Sequence, residues 1–336
     1  MVNKISKLSI YKEWQLLTDK LLGGVDGQKY ESKFQTIQSR YSPKYLGLKK
    51  GIVAFNLVVN NAVINSEIIS PNEHESHFLF DIVYNNTSEI APEAITGDMH
   101  SINCLNYVIL DAINKVFMPN FNSPQCETIS CMKPLKEYGG CFVKPKKTIS
   151  ESLIEDEWDT IQRILASLVV GKTTQSIIVG KLSSCKGSNK TKRALSEYNE
   201  IFKSLHLLDF IDDHLHRAAI RKALNRTEAY HKLRRAIADV GGGRFSGKSV
   251  VENEVWNQCT RLIANSIIYY NAILMEQMSE VLENSEYIKN VSPIAWIHIN
   301  MIGKYEFTQS RACIDIKDMV EQLYQSLKKK NLFKSE

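Results

Sequence analysis

The stretch that most constrains the fold is a hairpin. Gly51-Ile-Val-Ala-Phe-Asn-Leu-Val-Val-Asn60 is β-branched and nearly continuous in apolar residues, as a strand buried on both faces must be. Asn60-Asn61 accepts the left-handed backbone of a two-residue turn, and Ala62 to Ile69 returns as the partner strand. A chain carrying this pair builds a sheet into its core.

The elements around the hairpin alternate. After Pro71, Asn72 with Glu75 three residues on is the expected cap of a helix whose apolar face is Phe78, Leu79, Ile82 and Val83. Glu93-Ala-Ile-Thr-Gly-Asp98 reads as a short buried strand ending on a carboxylate. Ser101 then caps an expected helix with Ile102, Leu105, Ile109, Ala112, Ile113 and Val116 at three- and four-residue spacing. Upstream, a helix is expected over Ile10 to Leu22, while the glycines of Gly23-Gly24-Val25-Asp26-Gly27 weaken any strand there. Downstream, residues 119–150 are rich in Pro, Lys and Gly and mark a junction. Beyond it the expected elements are helical. Ser152 with Glu155 opens the first and Gly171 ends it, with others near 175–182, 191–207, 208–216, 217–240 and 252–283. A further short element starts at Pro293 and runs to Asn300 through His298, a residue read as structural.

With 336 residues the chain is long for one domain, and its 43% apolar and 24% charged residues exclude a disordered class. The formal charge of +5 is too small to announce a nucleic-acid partner. Its distribution says more: Arg217, Arg221, Lys222, Arg226, Lys232, Arg234, Arg235, Arg244 and Lys248 crowd one stretch whose only acids are Glu228 and Asp239. Seven scattered cysteines suit a reducing compartment. Cys126, Cys131 and Cys141 lack the tight ligand pairs that structural zinc sites favour. With no secretory signal and no apolar run long enough for a bilayer, a cytoplasmic protein without membrane contact is expected. Gly242-Gly-Arg-Phe-Ser-Gly247-Lys248-Ser249 fits a phosphate-binding loop by its letters. A charged helix precedes it instead of a buried strand, so it reads as a helix stop and no nucleotide is expected.

Three acids stand out, each with an ordinary explanation beside the functional one. Asp98 ends a strand at a sheet edge, where open α/β folds place their chemistry, and equally suits a helix N-cap. Asp26 precedes Gly27 and equally suits a turn. Glu228 stands alone among bases and equally suits an i,i+4 pair with Lys232. Together they make one metal site: carboxylates from separate elements can hold Mg²⁺ for phosphodiester chemistry, and the flanking bases can hold a polyanion.

Several motifs in order carry a resemblance. Val25-Asp26-Gly-Gln-Lys-Tyr, Ser42-Pro-Lys-Tyr-Leu-Gly47, Ile95-Thr-Gly-Asp98 and Leu224-Asn-Arg-Thr-Glu228-Ala-Tyr-His-Lys-Leu-Arg-Arg-Ala-Ile237 are similar to the catalytic region of Tn3-family transposases. So are Cys259-Thr-Arg-Leu-Ile-Ala-Asn-Ser-Ile-Ile-Tyr-Tyr-Asn271 and Ser292-Pro-Ile-Ala-Trp-Ile-His-Ile-Asn-Met-Ile-Gly-Lys-Tyr305. The resemblance implies an α/β, RNase H-like mixed sheet flanked by helices, with a helical insertion and a helical carboxy-terminal region. Mapped here, a leading helical segment covers 1–20, the first part of the core 21–121, the insertion 122–216, and the glutamate helix with the closing region 217–336. It implies a triad of Asp26, Asp98 and Glu228 binding two Mg²⁺, with Mn²⁺ as substitute, that frees transposon 3′ ends and joins them to target DNA. Arg221, Lys222, Arg226, Lys232, Arg234 and Arg235 are the expected DNA contacts, and self-association on DNA is expected. The rival expectations are an inactive DNA-binding remnant and a nuclease of the same fold. Departures lie at Gly23-Gly24-Val25, at Met99-His-Ser101 and at Phe117-Met-Pro-Asn-Phe121.

Overall fold

A computed structural model describes residues 1–103, 105–282, 291–294 and 315–329. Its centre is a mixed sheet of β1 (Leu22–Glu31), β2 (Arg40–Tyr41), β3 (Lys50–Val59), β4 (Ala62–Ile69), β5 (Ala94–Thr96) and β6 (Val116–Phe117). β1 lies in the middle, antiparallel to β3 on one side and parallel to β5 on the other. Beyond β3 come β4 and the short β2, and beyond β5 comes β6. Three antiparallel strands followed by two short parallel ones, with helices on both faces, is the mixed α/β arrangement expected of an RNase H-like domain.

The hairpin forms as its residues dictate. Asn60 and Asn61 take φ of 43° and 69°, the pair of positive values that a two-residue turn needs to match the strand twist. Strand β1 is the surprise, since its glycines argue against a strand. At Gly24 an added Cβ would lie 2.6 Å from Thr227 Oγ1 and 3.1 Å from the Ala223 carbonyl oxygen. Glycine is there because a helix crosses the strand too closely for any side chain, and that contact outweighs propensity.

That helix, His214–Val240, buries Ala219, Ile220, Ala223, Thr227, Tyr230 and Leu233 against the sheet. Asp213 caps it by accepting from the Leu215 amide at 2.7 Å. Gly242 and Gly243, at φ of 87° and 72°, follow the end of this helix, and Ser249 caps the next, Val250–Val281, by accepting from Glu252 N at 3.1 Å. The glycine-rich stretch is therefore a helix stop. The Val250–Val281 helix covers β4: Asn265 Oδ1 accepts from Val63 N at 3.0 Å and Asn265 Nδ2 donates to Val63 O at 2.9 Å. An edge strand with its free groups satisfied by side chains presents no template for another strand.

Helices Glu151–Asp156, Trp158–Val169, Gln175–Ser184 and Lys190–Asp212 gather around Ile154, Ile161, Leu168, Ile178 and Leu195. This cluster also takes in Phe80, Leu105 and Ile109 from the core, so the helical segment is packed onto the sheet layer through apolar contact. Several expected elements differ. The helix over Ile10 to Leu22 is only Ser9–Glu13, because Trp14 turns into the core and Leu22 already belongs to β1. The one expected from Ser101 is a 3₁₀ turn, Met99–Ser101, followed by Asn106–Asp111, and Val116 opens β6 instead of ending a helix. The expected break near residue 208 is absent, since Lys190–Asp212 is continuous. Of the element expected over Pro293–Asn300, only Pro293 and Ile294 are described, and His298 lies outside the described residues.

Candidate active site

A notch forms where β5 stops and β1 continues. The two strands pair only over Leu22–Gly24 and Ala94–Thr96, so past Gly24 no strand pairs with that edge of β1 until Phe245 bridges to it at Ser32. Asp26 lies two residues into the open part, and Asp98 two residues beyond the end of β5. Asp26 is not in a turn: it stands mid-strand opposite Asn56 of β3, and its Oδ1 accepts from Gly27 N at 2.8 Å. Asp98 caps the following 3₁₀ turn, accepting from His100 N at 2.9 Å. Burial, with the charges of Glu75 and Asp98 adding to it, pushes the Asp26 carboxyl up to about 7.

The Glu228 helix reaches this notch with a different residue. His231 Nδ1 lies 3.7 Å from Asp26 Oδ2 and Nε2 lies 3.3 Å from Asn56 Nδ2. Burial, aided by Arg234 and Arg235, pushes His231 down to about 3, while a hydrogen bond to the Asp26 backbone opposes the shift. The ring is therefore neutral, and its contact with Asp26 carries no ion pair. Glu228, one turn earlier, is exposed and pairs with Lys232 at 3.2 Å. So Asp98 is near enough for its charge to act on Asp26, while Glu228 is paired with Lys232.

The expected DNA contacts divide the same way. Arg221, Lys222, Lys232 and Arg235 are exposed. Arg226 is half-buried at the hairpin tip, bonded to Asn60 Oδ1 at 3.3 Å, and burial pushes it down to about 10. Arg234 as a DNA contact is corrected: it is fully buried, donating to Asn56 Oδ1 at 2.7 Å, Ser66 Oγ at 3.1 Å and Asn257 Oδ1 at 2.5 Å, with its guanidinium 5.5 Å from the centre of the Tyr30 ring. It ties the Glu228 helix to the hairpin and to the Val250–Val281 helix. The signal was present in the spacing, since Ala223, Thr227, Tyr230 and Arg234 repeat at helical intervals on one stripe.

Two further residues were missed. Glu75, expected only as a capping partner for Asn72, has a side chain 11% exposed, and its Oε2 accepts from the same Gly27 N–H as Asp26, at 3.1 Å. Gln175, fully buried, donates to Ser76 O at 2.9 Å and to Asn106 Oδ1 at 2.6 Å, while Asn106 Nδ2 donates to Ser101 O at 2.6 Å. One side chain of the helical segment thus braces the turns that follow Glu75 and Asp98.

The donor chemistry suits a hard divalent cation in one part of the site. Carboxylate oxygens are the ligands Mg²⁺ prefers, and the like charges that push Asp26 up are those an ion would offset. Glu228, as placed, does not fit, and among the described residues no three His, Cys, Asp or Glu side chains are gathered closely enough to hold a metal. Cys126, Cys131 and Cys141 form no such group, and of the three only Cys131 is buried. No helix among the described residues is long and apolar enough to cross a membrane.

Residues 1–305 match the Tn3 transposase DDE domain family. The chain is 25% identical over 294 residues to the transposase for transposon gamma-delta of Escherichia coli K12, covering 85% of this chain and 29% of that protein. It is 23% identical over 294 residues to the transposase for transposon Tn4556 of Streptomyces fradiae, covering 85% and 33%. Against the transposase for transposon Tn1546 of Enterococcus faecium it is 22% identical over 317 residues, covering 93% and 32%. The chain spans about a third of the length of these relatives.

Proposed function

This chain belongs to the Tn3 transposase DDE domain family, and on that premise we propose that it is the catalytic region of a transposase that cleaves DNA to free 3′ ends and joins them to target DNA. The observation that carries the reading is the notch itself: Asp26 stands on one of two adjacent parallel strands and Asp98 just beyond the end of the other, and the charge of Asp98 adds to the cost of ionising Asp26 at the point where the sheet edge opens. Asp26, Asp98 and, once it leaves Lys232, Glu228 would be its metal ligands and catalytic residues. Bound Mg²⁺, or Mn²⁺ in its place, supplies activation of the attacking oxygen and stabilisation of the leaving one. Glu228 lies three residues before His231, whose ring touches Asp26, so the same helix flank faces the notch once Glu228 leaves Lys232. Arg221, Lys222, Arg226, Lys232 and Arg235 hold the DNA backbone, and copies of the protein assemble on paired ends in the cytoplasm.

The test is a joining assay with a labelled DNA bearing a free 3′-OH, a plasmid target and Mg²⁺. The wild-type chain is expected to yield products extended by target DNA, and Asp98→Asn to bind DNA without forming them. Cleavage without joining would mean a nuclease, and binding without either would mean an inactive remnant.

A further inference from the structure

We propose that the cavity at the tip of the β3–β4 hairpin is a phosphate-binding socket, lined by Trp14, Asn61, Lys222, Asn225, Arg226 and Ser292 and filled by a backbone phosphate of bound DNA. It rests on the transposase reading only for the source of the phosphate, since the chemistry of the lining stands without it.

The cavity joins parts of the chain that are far apart in sequence. The hairpin turn supplies Asn61, held at φ of 69°. The Glu228 helix supplies Lys222, Asn225, Arg226 and Ala229, whose three- and four-residue spacing sets them on one flank. Beyond the Val250–Val281 helix, Ser292 Oγ donates to Asn61 Oδ1 at 3.4 Å, and the next residue is fastened by Asn271 Nδ2, which donates to Pro293 O at 2.7 Å. The volume is about 170 Å³. That is several times the ~30 Å³ share of a water molecule and enough for a phosphate group.

The lining is one-sided in charge. Two of its side chains are cations and none is a carboxylate. Arg226 carries a fork of N–H donors, and its hydrogen bond among the described residues is the 3.3 Å contact with Asn60 Oδ1. Neither Arg226 nor Lys222 has an ion pair among the described residues. Arg234, farther along the same helix, shows what a buried guanidinium otherwise requires: it donates to oxygen atoms of Asn56, Ser66 and Asn257. Trp14 is 1% exposed, and its indole N–H is buried without a protein acceptor among the described residues. Donors short of acceptors are costly, and an anion with several oxygen atoms supplies them. A phosphate offers two oxygen atoms to the guanidinium fork and keeps others for the ammonium and the indole. The exposed bases Arg221, Lys232 and Arg235 lie about a quarter turn round the same helix, so a DNA strand crossing them reaches the cavity.

The experiment measures two bindings to the full chain: inorganic phosphate, by phosphorus NMR line broadening, and a short DNA duplex, by fluorescence anisotropy over a range of salt. The variants are Arg226→Gln, Trp14→Phe, Asn225→Asp and Arg235→Gln. Arg226→Gln is expected to weaken both bindings by at least about tenfold and to lower the salt slope of duplex binding by about one. Trp14→Phe keeps the charge and is expected to weaken both severalfold with the slope unchanged. Asn225→Asp puts a negative charge into the lining from an exposed position, so it tests the socket without disturbing the core, and is expected to abolish phosphate binding. Arg235→Gln is expected to leave phosphate binding as it was. If the socket variants lose phosphate while duplex binding is untouched, or wild type binds phosphate and no duplex, the socket stands and DNA is overturned as its source. If Arg226→Gln weakens duplex binding while Asn225→Asp changes neither binding, Arg226 is one surface base among others and the socket falls. It falls equally if wild type binds no phosphate, or if Arg235→Gln weakens phosphate binding as much as Arg226→Gln does.

Discussion

Asp26 and Glu228 are expected to serve one ion, yet they sit in opposite surroundings. Asp26 is pinned in mid-strand, crowded by like charge and touched by a neutral histidine. Glu228 stands on a helix surface with a lysine for company. The difference teaches where rigidity comes from: strands and their turns fix a carboxylate by backbone register, whereas a helix flank leaves a long side chain free to choose between a lysine and the notch. The cost of holding charge falls on the strand half, and adaptability belongs to the helix half.

The sharpest way to break this comparison is to remove one acid from each half. Asp98→Asn and Glu228→Gln are each expected to lower 3′-end joining by about a thousandfold, roughly 4 kcal/mol of activation free energy. Only the first is expected to affect metal binding without DNA. Equal loss of metal by both variants would erase the distinction between the halves.

Next in size is the buried cation that seats the helix. Arg234→Leu strands the oxygen atoms of Asn56 and Asn257 and is expected to cost about 3 kcal/mol in urea unfolding, with Arg235→Leu at the surface costing under about 0.5 kcal/mol. Similar costs for the two would mean that Arg234 reaches solvent after all.

A smaller effect concerns pH. Because the native pKa of Asp26 is raised to about 7, the folded protein keeps a proton that the unfolded chain gives up near pH 4. Stability without metal is therefore greatest below pH 4 for this group, and its contribution is lost as the pH rises through 7. With the carboxylate 37% exposed, screening limits the loss to at most about 2 kcal/mol. Thermal melts from pH 4 to 7 are expected to show a steeper slope in wild type than in Asp26→Asn, the rest coming from Glu67, Asp81 and Glu75, whose carboxyls burial also raises. Smallest of all, Lys232→Ala removes an exposed pair and is expected to change stability by under about 0.5 kcal/mol.

The hairpin, the strand before Asp98 and the long helices could be read from residues, because each declares itself locally. What could not be read depends on partners far away in sequence. Gly24 and Gly27 look like strand breakers until Thr227 and Glu75 are seen pressing against them. Glu75 looks like a capping residue because its partner amide lies in another strand, and Arg234 looks like one more surface base because only its stripe on the helix gives its burial away. The helix after Asp98 begins later than its residues suggest, since Ser101, a good cap by type, has its carbonyl taken by Asn106.

Gln175 adds a consequence in time. Asp26 and Asp98 leave the ribosome before Gln175, the side chain that fastens the turns after Glu75 and Asp98 and that lies 99 residues beyond Ser76. Contacts at such separation form late, after the loop between them has closed. A nascent chain interrupted before residue 175 carries both aspartates without the brace on the turn after Asp98, so the proposed site is complete only in molecules whose synthesis has passed well beyond the acids themselves.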